Sequence, residues 1–349
     1  MIPAAFAIPG DINLPTGGYV YDRRLLALLP QSGVAARHVA LPGSFPDPSP
    51  ADLRETARLL SAVDPDTVLI VDGLAYGALP AEIIARVRAP ILALVHHPLC
   101  LEAGLSKERE AALRALETAA LALARRVVVT SRFTARTLTA DFAVPADRIT
   151  IAEPGTDPAQ RAAGSSSGTL QFLAVGSIVP RKAYDILVRA LSALGNCQWH
   201  LTIAGPADRS PEALAALHAA ISETGLADRI TLVGPVSRER LANLYAAADI
   251  FLMPSLYEGY GMVLAEAMAH GLPIVCTTGG AAAETVPDAA AIKVPPGDGP
   301  ALATAIDRLA GDAHLRRRMA DASWAAGRSL PRWEGTARII AGIIKEMAP

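Results

Sequence analysis

Along this chain, short apolar runs that end in small residues alternate with longer segments of helical period, the pattern of parallel strands joined by crossover helices. In the first half the pattern predicts strands over residues 2–8, 68–71, 91–95 and 127–130, with helices over 19–29, 52–62 and 107–123 among the segments between. The run Val68-Leu69-Ile70-Val71 is apolar without interruption, as a strand buried on both faces is. Periodicity is lost over 153–168, EPGTDPAQRAAGSSSG, where Pro, Gly and Ser cluster as in a linker. It then resumes, with strands expected at 170–175, 200–204, 230–233, 250–253 and 273–276. Helices are expected at 182–194, 211–224, 238–247, 261–270, 299–309 and 313–326. A last helix, about 332–347, follows Pro331 and is expected to pack back on the first half. The expected organisation is α/β: two doubly wound, Rossmann-like domains, 1–157 and 169–330, joined by a linker at 158–168 and followed by a terminal segment 331–349. Such folds bind ligands at the carboxyl ends of their strands, so the two domains are expected to face a shared cleft.

Length and composition agree with two cores: 349 residues, 51% apolar and 19% charged, too apolar for a disordered chain. Lys and Arg total 32 against 34 Asp and Glu, a formal charge of -2. No broad basic field is present, and nucleic acid is not an expected partner. Cys100, Cys197 and Cys276 are far apart and form no C-x-x-C pair, which points away from a disulfide framework or a zinc knuckle and toward a reducing compartment. The opening MIPAAFAIPG is too short for the core of a signal peptide and has no cation ahead of it, so it reads as a buried strand. Mean hydropathy is +0.31, but no uninterrupted apolar run approaches the roughly 18 residues of a membrane span. No basic amphipathic helix marks membrane association. A soluble, cytoplasmic protein is the expectation.

The most informative stretch is SLYEGYGMVLAEAMAHG, residues 255–271. A strand, then Gly259-Tyr260-Gly261, then a helix leaves backbone N–H groups and the positive end of the helix dipole available to an anion. Glu258 precedes the glycines and Glu266 follows them. On one unbroken helix they would lie about 12 Å apart along the axis, too far for one proton relay. Recognition of two separate sets of hydroxyls suits them better, although both can also be acids that satisfy the helix start. The second stretch is VGSIVPRK, residues 175–182, read as a strand end, a glycine and two cations opening a helix. Cations there oppose the dipole unless an anion such as a diphosphate lies between them; a solvated charged start is the alternative. The spacing does not fit a P-loop.

Taken together, Glu258-Gly259-Tyr260-Gly261 through Glu266 to His270-Gly271-Leu272-Pro273-Ile274-Val275, and Val175-Gly176 with Arg181-Lys182, resemble the retaining glycosyltransferases of the GT-B architecture, in particular the large family 4 (group 1). The 201–205 run Leu-Thr-Ile-Ala-Gly, and Gly279-Gly280 before Glu284, are similar to further elements of that family. The resemblance covers most of the second half and, more weakly, the first. It implies that Glu266 binds the ribose of a nucleotide-diphosphate sugar, that Glu258 contacts the transferred sugar, and that Lys182 holds the diphosphate. Many members carry Arg where this chain has Ser177, and Arg181 is expected to supply that charge. Gly259, Tyr260, Gly261 and Met262 would bring backbone amides to the donor, Val263 would also bind it, and Val236 would lie near the base.

In the first half, Pro15-Thr16-Gly17-Gly18-Tyr19 resembles the family's glycine loop near the donor phosphates, though a Gly pair before a helix is also a tight turn. His96 matches the family's histidine near the sugar. His97 stands where the usual neighbour is Asp, and a structural role for the pair is the alternative. Ser131 and Arg132 resemble a segment that would meet the acceptor, with capping of the next helix the alternative role for Ser131.

His38, His200, His218, His314, Trp199, Trp324 and Trp333 read as surface or packing residues. No H-x-x-x-H or Cys/His cluster suggests a metal, and no cofactor is expected. The reading is a retaining, metal-independent hexosyltransferase, of the kind that builds polysaccharides, moving a sugar from a nucleotide-diphosphate sugar to a hydroxyl acceptor. That acceptor would be a glycan, a lipid-linked molecule or a small molecule. A nucleotide-sugar epimerase of the same fold and, further off, a two-domain solute-binding protein are the alternatives.

Overall fold

The computed structural model describes every residue except Ser166, Ser167, Asn196 and Pro349. Part of the expected linker, and the last residue of the expected terminal segment, therefore lie outside the described residues. The described chain divides into two compact units, Met1–Gly155 with Pro331–Pro349, and Thr156–Leu330.

In the first unit the strands are β1 (Ile2–Pro9), β2 (Val34–Leu41), β3 (Val68–Asp72), β4 (Ile91–Val95), β5 (Arg126–Val129) and β6 (Ile149–Ile151). They form a parallel sheet in the order β2-β1-β3-β4-β5-β6. Every residue of β3 and β4 is buried, which is why these strands are continuously apolar. The crossover helices start on side-chain caps that the sequence supplies. Ser49 forms a capping box with Asp52, Ser106 caps Lys107–Leu123, and Ser131 caps Arg132–Asp141, satisfying N–H groups that have no partner within a first turn. The terminal helix Trp333–Met347 packs on the helix Gly17–Leu28. Arg24 lies over the Trp333 ring, and the Thr336 hydroxyl donates to the Glu153 carbonyl at 2.7 Å.

The second unit carries β7 (Leu170–Val175), β8 (Trp199–Ala204), β9 (Ile230–Gly234), β10 (Ile250–Met253), β11 (Ile274–Thr277) and β12 (Ala291–Val294). Its parallel order is β12-β11-β10-β7-β8-β9. The chain leaves β7 for one side of the sheet and returns on the other to form β10, so the switch of direction falls between these two strands, where doubly wound sheets bind ligands. Residues ahead of β7 are tied to this unit: Ala162 donates to the His270 carbonyl at 2.8 Å and Ala163 to the Ala246 carbonyl at 3.0 Å.

Three strands absent from the sequence expectation, β2, β6 and β12, are all sheet edges. Edge strands are covered less completely and lose the continuous apolar signature. β2 mixes exposed and buried positions, and no residue of β6 is fully buried. A second correction concerns residues 182–194. Pro180–Lys182 is a 3-10 turn, Ala183 follows in the left-handed region at φ 49°, and the helix spans Tyr184–Leu191. Arg181 and Lys182 therefore precede the helix instead of opening it.

Candidate functional site

In the second unit, the turn after β7 and the loop after β10 are knitted together at the switch point. Leu256 N–H donates to the Arg181 carbonyl at 2.7 Å, and the Arg181 guanidinium donates to the Tyr257 carbonyl at 2.8 Å. Glu258 N–H donates to the Gly279 carbonyl at 3.2 Å, and Ala281 N–H to the Glu258 carbonyl at 2.8 Å. These bonds bring three charged side chains to one place. Lys182 Nζ donates to Glu258 Oε1 at 2.6 Å, and Arg181 Nη1 lies 3.4 Å from Glu258 Oε2. Glu258 and Lys182 are buried at 6% and 8% exposure. Burial alone would raise the Glu258 carboxyl, but the charges of Lys182 and Arg181 outweigh it and draw the group down to about 2. Glu258 is thus a fixed anion and a weak base.

Glycines make this approach possible. Gly205 sits at φ +151°, and a Cβ there would overlap the Gly176 carbonyl. At Gly176 itself, φ +150°, a Cβ would come 2.9 Å from Lys182 Cε and 3.0 Å from the Tyr184 hydroxyl.

Beyond Glu258, Gly261 at φ 88° begins the helix Met262–Ala269, and no side chain among the described residues caps that start. Its orphan N–H groups and the positive end of its dipole lie three residues or so along the chain from the Glu258 cluster. Glu266, in the same helix, accepts from the Tyr245 hydroxyl at 2.8 Å. Burial raises its carboxyl, opposed by that hydrogen bond. Tyr245 was invisible to motif reading because it comes from another helix, Arg238–Ala247. Tyr260 is buried and its carbonyl accepts from Thr285 at 2.5 Å. Ser177 follows Gly176 in the turn, and Val236 is half-buried just past the end of β9.

In the first unit, His96 directly follows β4 and Asp72 ends β3. Gly17 and Gly18 open the helix that carries Asp22, and Thr16 caps it through Tyr19 N–H. His96 Nε2 lies 3.3 Å from Asp72 Oδ2 and 3.5 Å from Asp22 Oδ1. Tyr21 meets the His96 ring edge-on at 5.2 Å and the Trp333 ring at 5.7 Å. Gly18 lies close by: a Cβ there would stand 3.4 Å from the His96 ring, in van der Waals contact. His97 pairs instead with Glu102 at 3.2 Å. Ser131 is buried, accepts from Thr134 N–H at 3.0 Å and so caps its helix, while Arg132 is exposed at the helix start.

Sequence reasoning passed over Asp22 and Asp72, which stand 50 residues apart along the chain and meet only through the fold. Two signals were there to read: Asp72 ends a continuous apolar run, and Asp22 shares a helix face with Tyr19 and Leu25, all three buried.

Two family models match in tandem: Glycosyltransferase Family 4 over residues 21–160 and Glycosyl transferases group 1 over residues 169–312. Fold and matches together define a GT-B glycosyltransferase architecture. The chain belongs to the family 4, group 1 glycosyltransferases of that class. It is 34% identical over 215 residues to D-inositol 3-phosphate glycosyltransferase of Nocardia farcinica, covering 57% of this chain and 48% of that protein. The matched region thus spans about half the length of that relative. Among solved structures, sucrose-phosphate synthase from Thermosynechococcus elongatus superposes with a TM-score of 0.85 at 21% identity, covering 99% of both chains. HepE of Anabaena in complex with UDP-glucose gives 0.80 at 17% identity, over 99% of this chain and 100% of that one. Identities this low establish a shared fold. Among the described residues no helix is long and apolar enough to cross a membrane.

Proposed function

We propose that this protein transfers a hexose-type sugar from a nucleotide-diphosphate sugar to a hydroxyl acceptor with retention at the anomeric carbon. The second unit binds the donor and the first the acceptor. The observation that carries this reading is the Lys182–Glu258–Arg181 cluster at the β7/β10 switch point, followed along the chain by an uncapped helix start. A diphosphate gains negative charge as its bond to the sugar breaks, and prearranged cations and N–H dipoles stabilise that charge where it develops. Lys182, Arg181 and the amides from Gly259 to Val263 fill this role, with Gly17, Gly18 and Ser177 lining the phosphates and no metal required. Glu266, held by Tyr245, accepts from the ribose hydroxyls, and the base sits near Val236.

Glu258 orients the sugar and abstracts no proton. A general base works best with a pKa near the working pH, and a carboxyl held at about 2 is far from it. As the resemblance to the retaining family 4 enzymes implies, the leaving phosphate takes the acceptor proton, with attack from the same face. His96 orients the sugar as well; His97 and Arg132 meet the acceptor, and Ser131 supports Arg132 by capping its helix.

Incubating the protein with donor alone, and with donor plus a panel of hydroxyl acceptors, tests the reaction. A glycoside formed with retained configuration is expected. Epimerised nucleotide sugar without glycoside would replace this reading by an epimerase, and tight binding of free sugar without nucleotide by a solute-binding protein.

A further inference from the structure

Asp22 is fully buried, and among the described residues neither of its carboxylate oxygens has a partner in hydrogen-bonding geometry. His96 Nε2 is likewise buried outside hydrogen-bonding geometry, yet it stands at ion-pair distance from both Asp22 and Asp72. About a fifth of the His96 side chain is exposed, so the exposed part of the ring lies away from Nε2. The second Asp72 oxygen, Oδ1, accepts from Leu74 N–H at 2.8 Å, which fixes that carboxylate in place. Two ionised carboxylates around a neutral imidazole would bury two negative charges with only the Leu74 N–H to offset them, an unfavourable arrangement in a desolvated site. A protonated ring removes most of that cost.

We propose that Asp22 and Asp72 are positioning residues that grip His96 through Nε2, hold it as an imidazolium, and so make its outward N–H a permanently charged donor to the substrate. The substrate-facing role of His96 rests on the function proposed above; the grip itself does not. The groups that face the ring are Asp22 and Tyr21 from the helix Gly17–Leu28 and Asp72 from the end of β3. On its own segment, the neighbouring His97 is engaged with Glu102. Burial would lower the His96 pKa, but the two carboxylates outweigh it and raise the group well above its ordinary value. Burial, reinforced by the Asp72 charge, raises the Asp22 carboxyl despite His96. Burial, with the Asp22 charge, keeps the Tyr21 phenol un-ionised. The ring charge therefore persists as pH rises through neutrality and is lost only in the alkaline range.

Histidine-ring NMR on the whole protein, with the His96 signal assigned by loss in His96→Gln, tests this without any donor present. The expected result is a ring that stays charged from about pH 6 to about pH 8.5, whereas an unperturbed histidine titrates near 6.5. A His96 ring that is neutral at about pH 7 overturns the proposal, and this wild-type result stands even if a variant fails to fold. In Asp72→Asn and Asp22→Asn the titration should drop toward neutrality. Turnover should fall roughly tenfold to a hundredfold with nucleotide-diphosphate affinity unchanged. Loss of donor affinity in equal measure would overturn the positioning role. Heat on adding Mn2+ or Zn2+ alone that Asp22→Asn abolishes would also overturn it, since the trio would then hold a cation around a neutral ring. A charged ring together with unimpaired turnover in His96→Gln would remove the substrate-facing role alone, separating failure of the proposed function from failure of the grip.

Discussion

Lys182 and Glu258 each explain the burial of the other: a desolvated cation and carboxylate at 2.6 Å offset a cost that neither meets alone. Removing one partner leaves the other buried and uncompensated. Lys182→Ala is expected to weaken donor binding roughly tenfold to a hundredfold, the range for a lost hydrogen bond to a charged group, and to lower the melting temperature. Glu258→Gln keeps the shape and both cations, so nucleotide affinity should change little while turnover falls. The comparison is made by calorimetry and initial rates on the same preparations. The Glu258 pair also has a pH signature. Its folded value of about 2 lies below the ordinary 4.5, so its stabilisation is present above about 4.5 and is lost as pH falls through about 2. Acid unfolding of Glu258→Gln should lack that component.

At the scale of elements, much was legible because the relevant physics is local. Runs such as Ile91–Val95 must be apolar to be buried on both faces, and the helices Lys107–Leu123, Pro211–Thr224 and Arg238–Ala247 carry Ser caps and helical period in their own sequence. The edge strands β2, β6 and β12 were not legible, because partial cover relaxes that requirement. The acids Glu258 and Glu266 and the cations Arg181 and Lys182 could be picked out by spacing and chemistry. The pairing of Glu258 with both cations, and the meeting of Asp22 with Asp72, depend on strand order, which no local pattern encodes.

Glu117 shows the same limit. It lies on a helix, buried, with Oε2 accepting from Leu99 N–H at 2.9 Å and Oε1 without a hydrogen-bond partner among the described residues. Burial outweighs the Leu99 hydrogen bond and the Arg114 charge, raising the carboxyl to about 8. The folded state keeps a proton that the unfolded chain releases, so stability declines as pH rises from about 4.5 to about 8. Glu117→Gln should remove that slope and stabilise the protein at about pH 8 by on the order of a few kcal/mol, measured by thermal unfolding across pH. Gly205→Ala, which drives a Cβ into the Gly176 carbonyl at a φ of +151°, is expected to destabilise the second unit by roughly 1–3 kcal/mol and to disturb donor binding together with it.

For the molecule as a whole, the last helix belongs to the first unit although the chain reaches it only after completing the second. Its seat is specific: a Cβ on Gly155 would overlap the Trp333 backbone. Gly155→Ala should loosen Trp333–Met347 from its packing on Gly17–Leu28, seen as faster proteolysis of the C-terminal segment.

The central claim is that the second unit binds a diphosphate leaving group through Lys182, Arg181 and the helix start at Gly261. Isothermal calorimetry of the folded protein against UDP, GDP, ADP, CMP and TDP and their sugar conjugates tests it directly. The account predicts saturable heat with at least one nucleoside diphosphate and its sugar, diminished in Lys182→Ala. No heat with any of them, or heat that Lys182→Ala leaves untouched, would contradict it.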